Sequence, residues 1–311
     1  MENKQCSLCG NIDKDGILYM YELNDEKFIC IKCQQKMSEK ENKIFLSKLK
    51  SFKMSENYID NLLSNEEYKK LILRIVSWNC NWGLSIEKYN DVLKFNPQIL
   101  LIQECSKNDF DYLKNMWEFK NWYNDDQKNN GSEYGLVIFS NDYKITFTEI
   151  FNREFRYIIP YIVSKNEYQF TLFSTWIHPI KENYKEHLYE AIEFYRRKNM
   201  MDNNSIIIGD FNIFANKNNE NLMELENKLS QMINCTKNTV YWEKSTYYHG
   251  KDEKGNDNYG INDFCFVSKN INKDFTIDVN ILDEWDVNNG KFKCWKGLSD
   301  HSPIIVDIKL K

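Results

Sequence analysis

Asn79, Glu104, Asp210, Asn212, Asp300 and His301 are scattered over more than two hundred positions, yet each sits in a setting that could do chemistry. Asn79 lies in Ser77-Trp78-Asn79-Cys80, and Glu104 closes Leu100-Leu101-Ile102-Gln103-Glu104. Asp210 and Asn212 belong to Gly209-Asp210-Phe211-Asn212, which follows the apolar run Ser205 to Ile208. Asp300 and His301 fall in Ser299-Asp300-His301-Ser302-Pro303. Every one of these clusters adjoins a strand-like run, so their side chains are expected to gather at one sheet edge. Carboxylates and amides gathered there are the material of a hard-cation site, beside an acid that activates water and a histidine that handles phosphate.

Phosphodiester hydrolysis requires charge neutralisation, an activated water and help for the departing oxygen. Glu104 is the expected direct ligand of Mg²⁺ (or Mn²⁺), since hard cations take few carboxylates and keep several waters. Asn79 would support the metal or a phosphate oxygen, and Asp300 would reach the metal through its hydration shell. Asp210 would orient or deprotonate the attacking water, and Asn212 would hold a non-bridging oxygen. Gly209 lets the backbone approach closely at that point. Arg156 precedes a mid-chain strand and could clamp a phosphate, although a surface ion pair accounts for it equally well.

Taken in order (Asn, Glu, Asp-x-Asn, Asp-His), these motifs resemble the endonuclease/exonuclease/phosphatase superfamily, also called DNase I-like, over roughly residues 72 to 311. The resemblance implies an α/β fold: a four-layer α/β sandwich of two packed mixed sheets flanked by helices. It also implies roles. His301 would contact the phosphate or act as general base. Asp263, in Ile261-Asn262-Asp263-Phe264, matches a late-strand aspartate that orients that histidine. His178, in Trp176-Ile177-His178-Pro179, falls where many members place a strand-end histidine that assists the leaving group. Two histidines could then share the proton work near neutral pH. Asn81 stands where apurinic endonucleases carry an aspartate, which argues against cleavage at abasic sites.

The N-terminus carries a different signal. Cys6-Ser7-Leu8-Cys9 and Cys30-Ile31-Lys32-Cys33 are two Cys-x-x-Cys pairs with twenty residues between them. Such spacing lets both thiolates of a pair reach one ion, and four thiolates make the closed shell that structural Zn²⁺ prefers. Residues 1–36 therefore read as a module similar to a zinc ribbon, with a hairpin over 16–21 and 27–30. So short a segment would draw its folding energy from the ion. Residues 37–71 read as a helical linker opened by a capping box at Ser38 and Glu41. Six lysines between Lys36 and Lys53 surround its first helix, either as a solvated face or as a basic arm for a polyanion.

From residue 72 onward strand and helix patterns alternate. Strands are expected over 71–79, 98–103, 136–140, 144–150, 157–163, 169–176, 205–208, 261–267, 276–282 and 303–308. Helices are expected over 85–94, 109–117, 184–195 and 222–232. Composition fits this picture: 311 residues hold one large domain and a small one, and 42% hydrophobic residues can bury a core. The net charge of −5 gives no whole-molecule attraction to nucleic acid, so such binding must be local. No run approaches ~20 apolar residues and no secretory signal opens the chain, so no membrane span is expected. Nine cysteines without a signal point to a reducing, cytoplasmic setting.

These features describe a metal-dependent phosphodiesterase, foremost a nuclease acting on DNA or RNA, with a protein partner of the zinc module as a further expectation. The alternatives are a hydrolase of a small phosphorylated substrate and a catalytically inactive zinc-containing adaptor. Fold alone does not choose among them.

Overall fold

The computed structural model describes residues 71–124, 134–165, 168–177, 184–201, 203–215, 220–237, 245–251, 253–281 and 298–311, with four short strands before residue 71. The chain divides into two units, Met1–Lys70 and Leu71–Lys311. In the first, Lys4–Gln5 pairs antiparallel with Ile12–Asp13, and Met20–Glu22 with Phe28–Cys30. The second pairing lies where the hairpin is expected. Cys6, Cys9, Cys33 and the side chain of Cys30 lie outside the described residues, as does the helical linker.

The second unit begins with β1 (Leu71–Asn79), α1 (Ile86–Leu93), β2 (Ile99–Ser106) and α2 (Lys107–Leu113). It continues with β3 (Phe119–Tyr123), β4 (Tyr134–Ser140), β5 (Lys144–Phe147), β6 (Ile158–Lys165), β7 (Tyr168–Trp176) and α3 (Tyr184–Arg197). Then come β8 (Ser205–Ala215), α4 (Glu220–Lys228), β9 (Met232–Asn234), β10 (Tyr247–Lys251) and β11 (Asp257–Ser268). The chain closes with α5 (Ile271–Asp274), β12 (Phe275–Ile281) and β13 (Ile304–Leu310).

One sheet has the order β12-β13-β1-β2-β4-β3. The other has the order β9-β11-β8-β7-β6-β5, with β10 pairing on β11. Each contains one parallel pair near its middle, β1 with β2 and β7 with β8. The remaining pairings are antiparallel.

The sequence of β1 is apolar almost throughout because both its faces are covered. Leu73 and Ile75 point between the sheets, where they join Leu101, Ile138, Ile304 and Val306 and meet Leu172, Ile206, Ile208 and Val267 of the second sheet. The outer face of the second sheet, with Phe173, Ile207 and Phe264, packs on Leu188, Ile192 and Tyr195 of α3 and on Leu222 and Leu225 of α4. On the outer face of the first sheet, Phe110 of α2 and Trp117 stack on Phe139 at centroid distances of 5.8 and 5.4 Å. Two packed mixed sheets flanked by helices are the outcome, as the resemblance to the superfamily implies. Arg74, the one charge buried in β1, forms a bidentate pair with Asp307 of β13 at 2.6 and 2.7 Å. Among the described residues no helix is long and apolar enough to cross a membrane.

Local readings differ at several points. The strand expected to stop at Ile208 runs on to Ala215, through a register shift after Asp210. The expected helix over 109–117 begins earlier, at Lys107, and tightens into a 3₁₀ turn at Lys114–Met116. The strand expected over 144–150 stops at Phe147, and the helix expected over 222–232 runs from Glu220 to Lys228. Strands β3, β9 and β10 lie at sheet margins, and their mixed polar sequences gave no strand pattern.

Gly209 is the position where backbone geometry is most demanding. Its φ is +140°, and a Cβ there would stand 2.1 Å from the Thr175 carbonyl oxygen of β7. Gly209→Ala is therefore expected to destabilise the domain by about 2–4 kcal/mol, from strain and overpacking together. Urea unfolding reads this directly, and a change below about 1 kcal/mol would show that β7 and β8 can separate there without cost.

Candidate active site

The carboxyl ends of the two parallel pairs bring the chemical residues together, as open α/β sheets do at the ends of parallel strands. Asn79 ends β1, and Glu104 lies at an irregularity of β2 between Ile102 and Cys105. Asp210 pairs with Trp176 at the end of β7 and with Asp263 of β11. His301 precedes β13.

Hydrogen bonds join these residues in one line. Asn79 Nδ2 donates to Glu104 Oε1 at 2.9 Å and to Asp210 Oδ2 at 3.0 Å. Both neighbours are acceptors, so the orientation of this amide is fixed, and its two hydrogens strap together carboxylates from opposite sheets. Asn79 Oδ1 accepts the Asn81 N–H at 3.0 Å. Asp210 is fully buried, and its Oδ1 accepts the Asn212 N–H at 2.8 Å. Asn212 Nδ2 donates to Asp210 Oδ2 at 3.0 Å and to the Ile177 carbonyl at 2.5 Å. These are again two acceptors, so both amide hydrogens of Asn212 are committed within the protein.

His301 completes the line. Its Nδ1 stands 2.9 Å from Asp263 Oδ2, and its Nε2 stands 3.9 Å from Asp210 Oδ2, too far for a hydrogen bond. Burial alone would lower its pKa, but the Asp263 and Asp210 carboxylates and the Asp263 hydrogen bond outweigh that and raise it to about 10. Burial pushes the Asp210 pKa up to about 7, the His301 charge pulls it down, and the Asp263 carboxylate pushes it further up. The metal-free site thus holds an imidazolium between two acids, one of them reluctant to ionise.

Several residues outside the motifs keep this line in place. Thr246 Oγ1 accepts the N–H groups of Asn262 and Asp263 at 2.9 and 3.1 Å. Ser299 Oγ donates to the Asn79 carbonyl at 2.7 Å and accepts the His301 N–H at 3.0 Å. Trp78 Nε1 donates to the His301 carbonyl at 3.0 Å, and the Tyr247 ring lies 4.6 Å from the imidazole. Ser299 stands inside a motif that the sequence displays. Thr246, in Ser245-Thr246-Tyr247-Tyr248, has no expected role of its own, because its task is to hold the backbone of β11.

Asp300, half-buried beside His301, places Oδ1 3.4 Å from the Ser299 hydroxyl and accepts the Tyr248 N–H on its carbonyl at 3.0 Å. Arg156 donates to the Tyr157 hydroxyl at 2.7 Å and lies 4.8 Å from that ring's centroid. His178 lies outside the described residues. Cys80, Cys105 and Cys265 are buried and free, and burial drives the Cys80 and Cys105 thiols far above the range in which they would ionise.

Two groups of atoms could receive a cation. Ligand atoms of Asp210, Asp263 and His301 lie within 4.8 Å of one another. There, however, Nδ1 of the histidine is already bonded to Asp263 and all three residues are buried, so the trio is better suited to hold protons than an ion. Glu104 is only half-buried, and its Oε1 and Oε2 accept from Asn79 and from the Trp82 N–H at 2.9 and 3.0 Å. Each oxygen keeps a second lone pair, and one carboxylate beside an amide oxygen is the sparse donor set that Mg²⁺ accepts. The donors at Glu104 and Asn79 fit a hard divalent cation.

Backbone strain gathers at this end. Glu104 has φ +60°, Asn212 +47°, Asn81 +50° and Trp82 +56°. Non-glycine residues held in that region cost roughly 1–3 kcal/mol each and persist only where their surroundings enforce them.

The model of the Endonuclease/Exonuclease/phosphatase family matches residues 76–278, well over half of the chain. The chain belongs to this family. Among curated proteins, none matches the sequence. Solved structures of similar fold include a humanised D. rerio TDP2, at 16% identity and TM-score 0.54, covering 76% of this chain and 98% of that one. A 3′ phosphatase, NExo from Neisseria, bound to a product DNA hairpin, shares 18% identity at TM-score 0.53, with 77% and 99% covered. A mannosyl-6-phosphatase of Bacteroides thetaiotaomicron shares 14% identity at TM-score 0.51, with 76% and 99% covered. At such identities the likeness concerns the endonuclease/exonuclease/phosphatase fold, while their substrates differ from nucleic acid to sugar phosphate.

Proposed function

We propose that this chain is a divalent-cation-dependent phosphodiesterase, and specifically a nuclease acting on DNA or RNA. The observation that carries this reading is the hydrogen-bonded line Glu104–Asn79–Asp210, prolonged by His301 and Asp263. It sets a carboxylate suited to a hard cation one amide away from a buried acid suited to take a proton from water. Mg²⁺ or Mn²⁺ held by Glu104 and Asn79 Oδ1, with Asp300 acting through water, would neutralise phosphate charge and polarise the scissile bond.

The protein's own groups do the rest. Asp210 accepts the proton of the attacking water, and its raised pKa makes it a stronger base than an exposed aspartate. Asn212 and Asn79 hold both its oxygens, so the base is aimed before substrate arrives. Since both hydrogens of Asn212 are committed, that residue serves Asp210, and the donor for a non-bridging phosphate oxygen is His301 Nε2. Asp263 fixes the imidazole and keeps it protonated, so positive charge faces the oxygen on which negative charge develops. His178 is the proposed acid for the leaving group, and Arg156 a weaker phosphate contact. In the N-terminal unit, Cys6, Cys9, Cys30 and Cys33 are proposed to hold a structural Zn²⁺ in a module over 1–36 that contacts nucleic acid or a protein partner. The linker would span 37–71 and the hydrolase domain 72–311.

The test uses fluorescent single- and double-stranded DNA and RNA with Mg²⁺, Mn²⁺ or EDTA. Cleavage is expected with either metal and not with EDTA. Glu104→Gln should raise the metal concentration for half-maximal rate by about tenfold or more, because the only carboxylate of the donor pair is lost. Binding that ignores metal, with no cleavage of any nucleic acid or simple phosphodiester, would instead identify an inactive adaptor.

A further inference from the structure

Trp82 is the most exposed large apolar side chain among the described residues, at 61%. It is held there firmly. Asn81, Trp82 and Gly83 all take positive φ, an arrangement that lifts the indole off the sheet end. Lys88 of α1 bonds the carbonyls of Cys80, Asn81 and Gly83, the last two at 2.9 and 3.0 Å. The Leu84 N–H donates to Asp109 Oδ2 at 2.9 Å, which ties the far side of the loop to α2. The Trp82 N–H itself donates to Glu104 Oε2 at 3.0 Å, so the ring belongs to a residue bonded directly to the metal-side carboxylate. Tyr134 meets the indole edge-on at 5.1 Å and 81°, and that contact can cover at most one of its two faces.

An indole that is open to solvent, rigidly mounted and carried by a residue bonded to Glu104 has the features of a platform for a flat aromatic ligand beside the site. We propose that Trp82 stacks on a nucleobase next to the scissile phosphate, so that the substrate is a nucleic acid with an unpaired or terminal nucleotide there. This rests on the nuclease reading above and narrows it. In a continuous duplex both faces of each base are covered by neighbours, whereas an unpaired or end nucleotide has a face to give. Stacking tolerates any base, so the preference concerns strandedness rather than sequence.

Binding is measured by fluorescence anisotropy on the Asp210→Asn background, with Mg²⁺, so that it is read without cleavage. The probes are a short labelled oligothymidylate and its base-free tetrahydrofuran counterpart of equal length, with a covalently closed duplex circle, which has neither ends nor unpaired bases, as unlabelled competitor. Trp82→Ala should weaken the oligothymidylate by about tenfold to a hundredfold and leave the base-free chain within about twofold, while Trp82→Phe recovers most of the loss. In the unsubstituted background the closed circle should compete with the oligothymidylate far less well, per nucleotide, than unlabelled oligothymidylate does, and equal competition overturns the proposal. Equal weakening of both single strands, or none, overturns the proposal; equal loss would mean that the indole packs on sugar or backbone. The two readings fail separately. A base-dependent effect of Trp82→Ala, with no nucleic acid cleaved by the wild-type protein in any metal, sinks the nuclease and leaves the platform. Efficient cleavage with no base-dependent effect does the reverse.

Discussion

Asp210→Asn is expected to lower kcat by about a thousandfold or more at saturating metal, with little change in KM. The substitution keeps the shape of the side chain and removes its capacity to accept a proton. It also puts an NH₂ against the donors that now face the carboxylate, from Asn79 Nδ2, Asn212 Nδ2 and the Asn212 N–H. One of those donors loses its acceptor, which costs about 1–3 kcal/mol, partly offset because a buried charge disappears. Thermal unfolding should therefore shift far less than activity. Retention of kcat within tenfold would remove Asp210 from the proton chemistry and require another base.

His301→Gln is expected to cost about a hundredfold to ten-thousandfold in kcat, because it removes the imidazolium that faces the phosphoryl oxygens. The same variant has a signature in stability. The His301 pKa is raised on folding from 6.5 to about 10, so in the metal-free protein its contribution is fully present below about pH 6.5 and is lost as pH rises toward 10. Asp210 acts in the same direction at lower pH: folding raises its pKa from 3.8 to about 7, so stability falls across that window as the buried carboxylate must ionise. Urea midpoints measured in EDTA should decline from pH 6.5 to 10 in the wild-type protein and stay flatter in His301→Gln over that range. Parallel curves would show that Asp263 and Asp210 do not hold the histidine pKa above its ordinary value.

The layout of this domain was legible wherever residues fill a surface buried on both sides. Runs such as Leu100-Leu101-Ile102 and Ser205 to Ile208 are short and apolar, the second rich in β-branched isoleucine, which suits strands of a covered sheet, while the pairing of two such sheets came from the family resemblance. That Asn79, Glu104, Asp210 and His301 would meet was expected because each adjoins such a run, and hydrogen bonds and close approaches do bring them together. The polar margins were not legible. Phe119–Tyr123 and Tyr247–Lys251 are strands because neighbours pair with them, not because their own pattern alternates. Groups that recognise backbone were equally hidden. Lys88 and Thr246 carry no expected role in the sequence, yet one holds three loop carbonyls and the other two strand amides. Asn212 was expected to hold a phosphate oxygen, and only the geometry around it reveals that both its amide hydrogens are already engaged by Asp210 and the Ile177 carbonyl.

The seating of β1 between β2 and β13 has a consequence for synthesis. The first strand of the hydrolase unit finds one of its two neighbours only when the last strand emerges, and His301 arrives immediately before that strand. A nascent or truncated polypeptide ending before residue 298 would expose β1 along one side and lack the imidazole altogether. Such long-range closure makes for slow folding. It also means that a partial translation product can carry Asn79, Glu104, Asp210 and Asp263 and still lack the histidine that joins them.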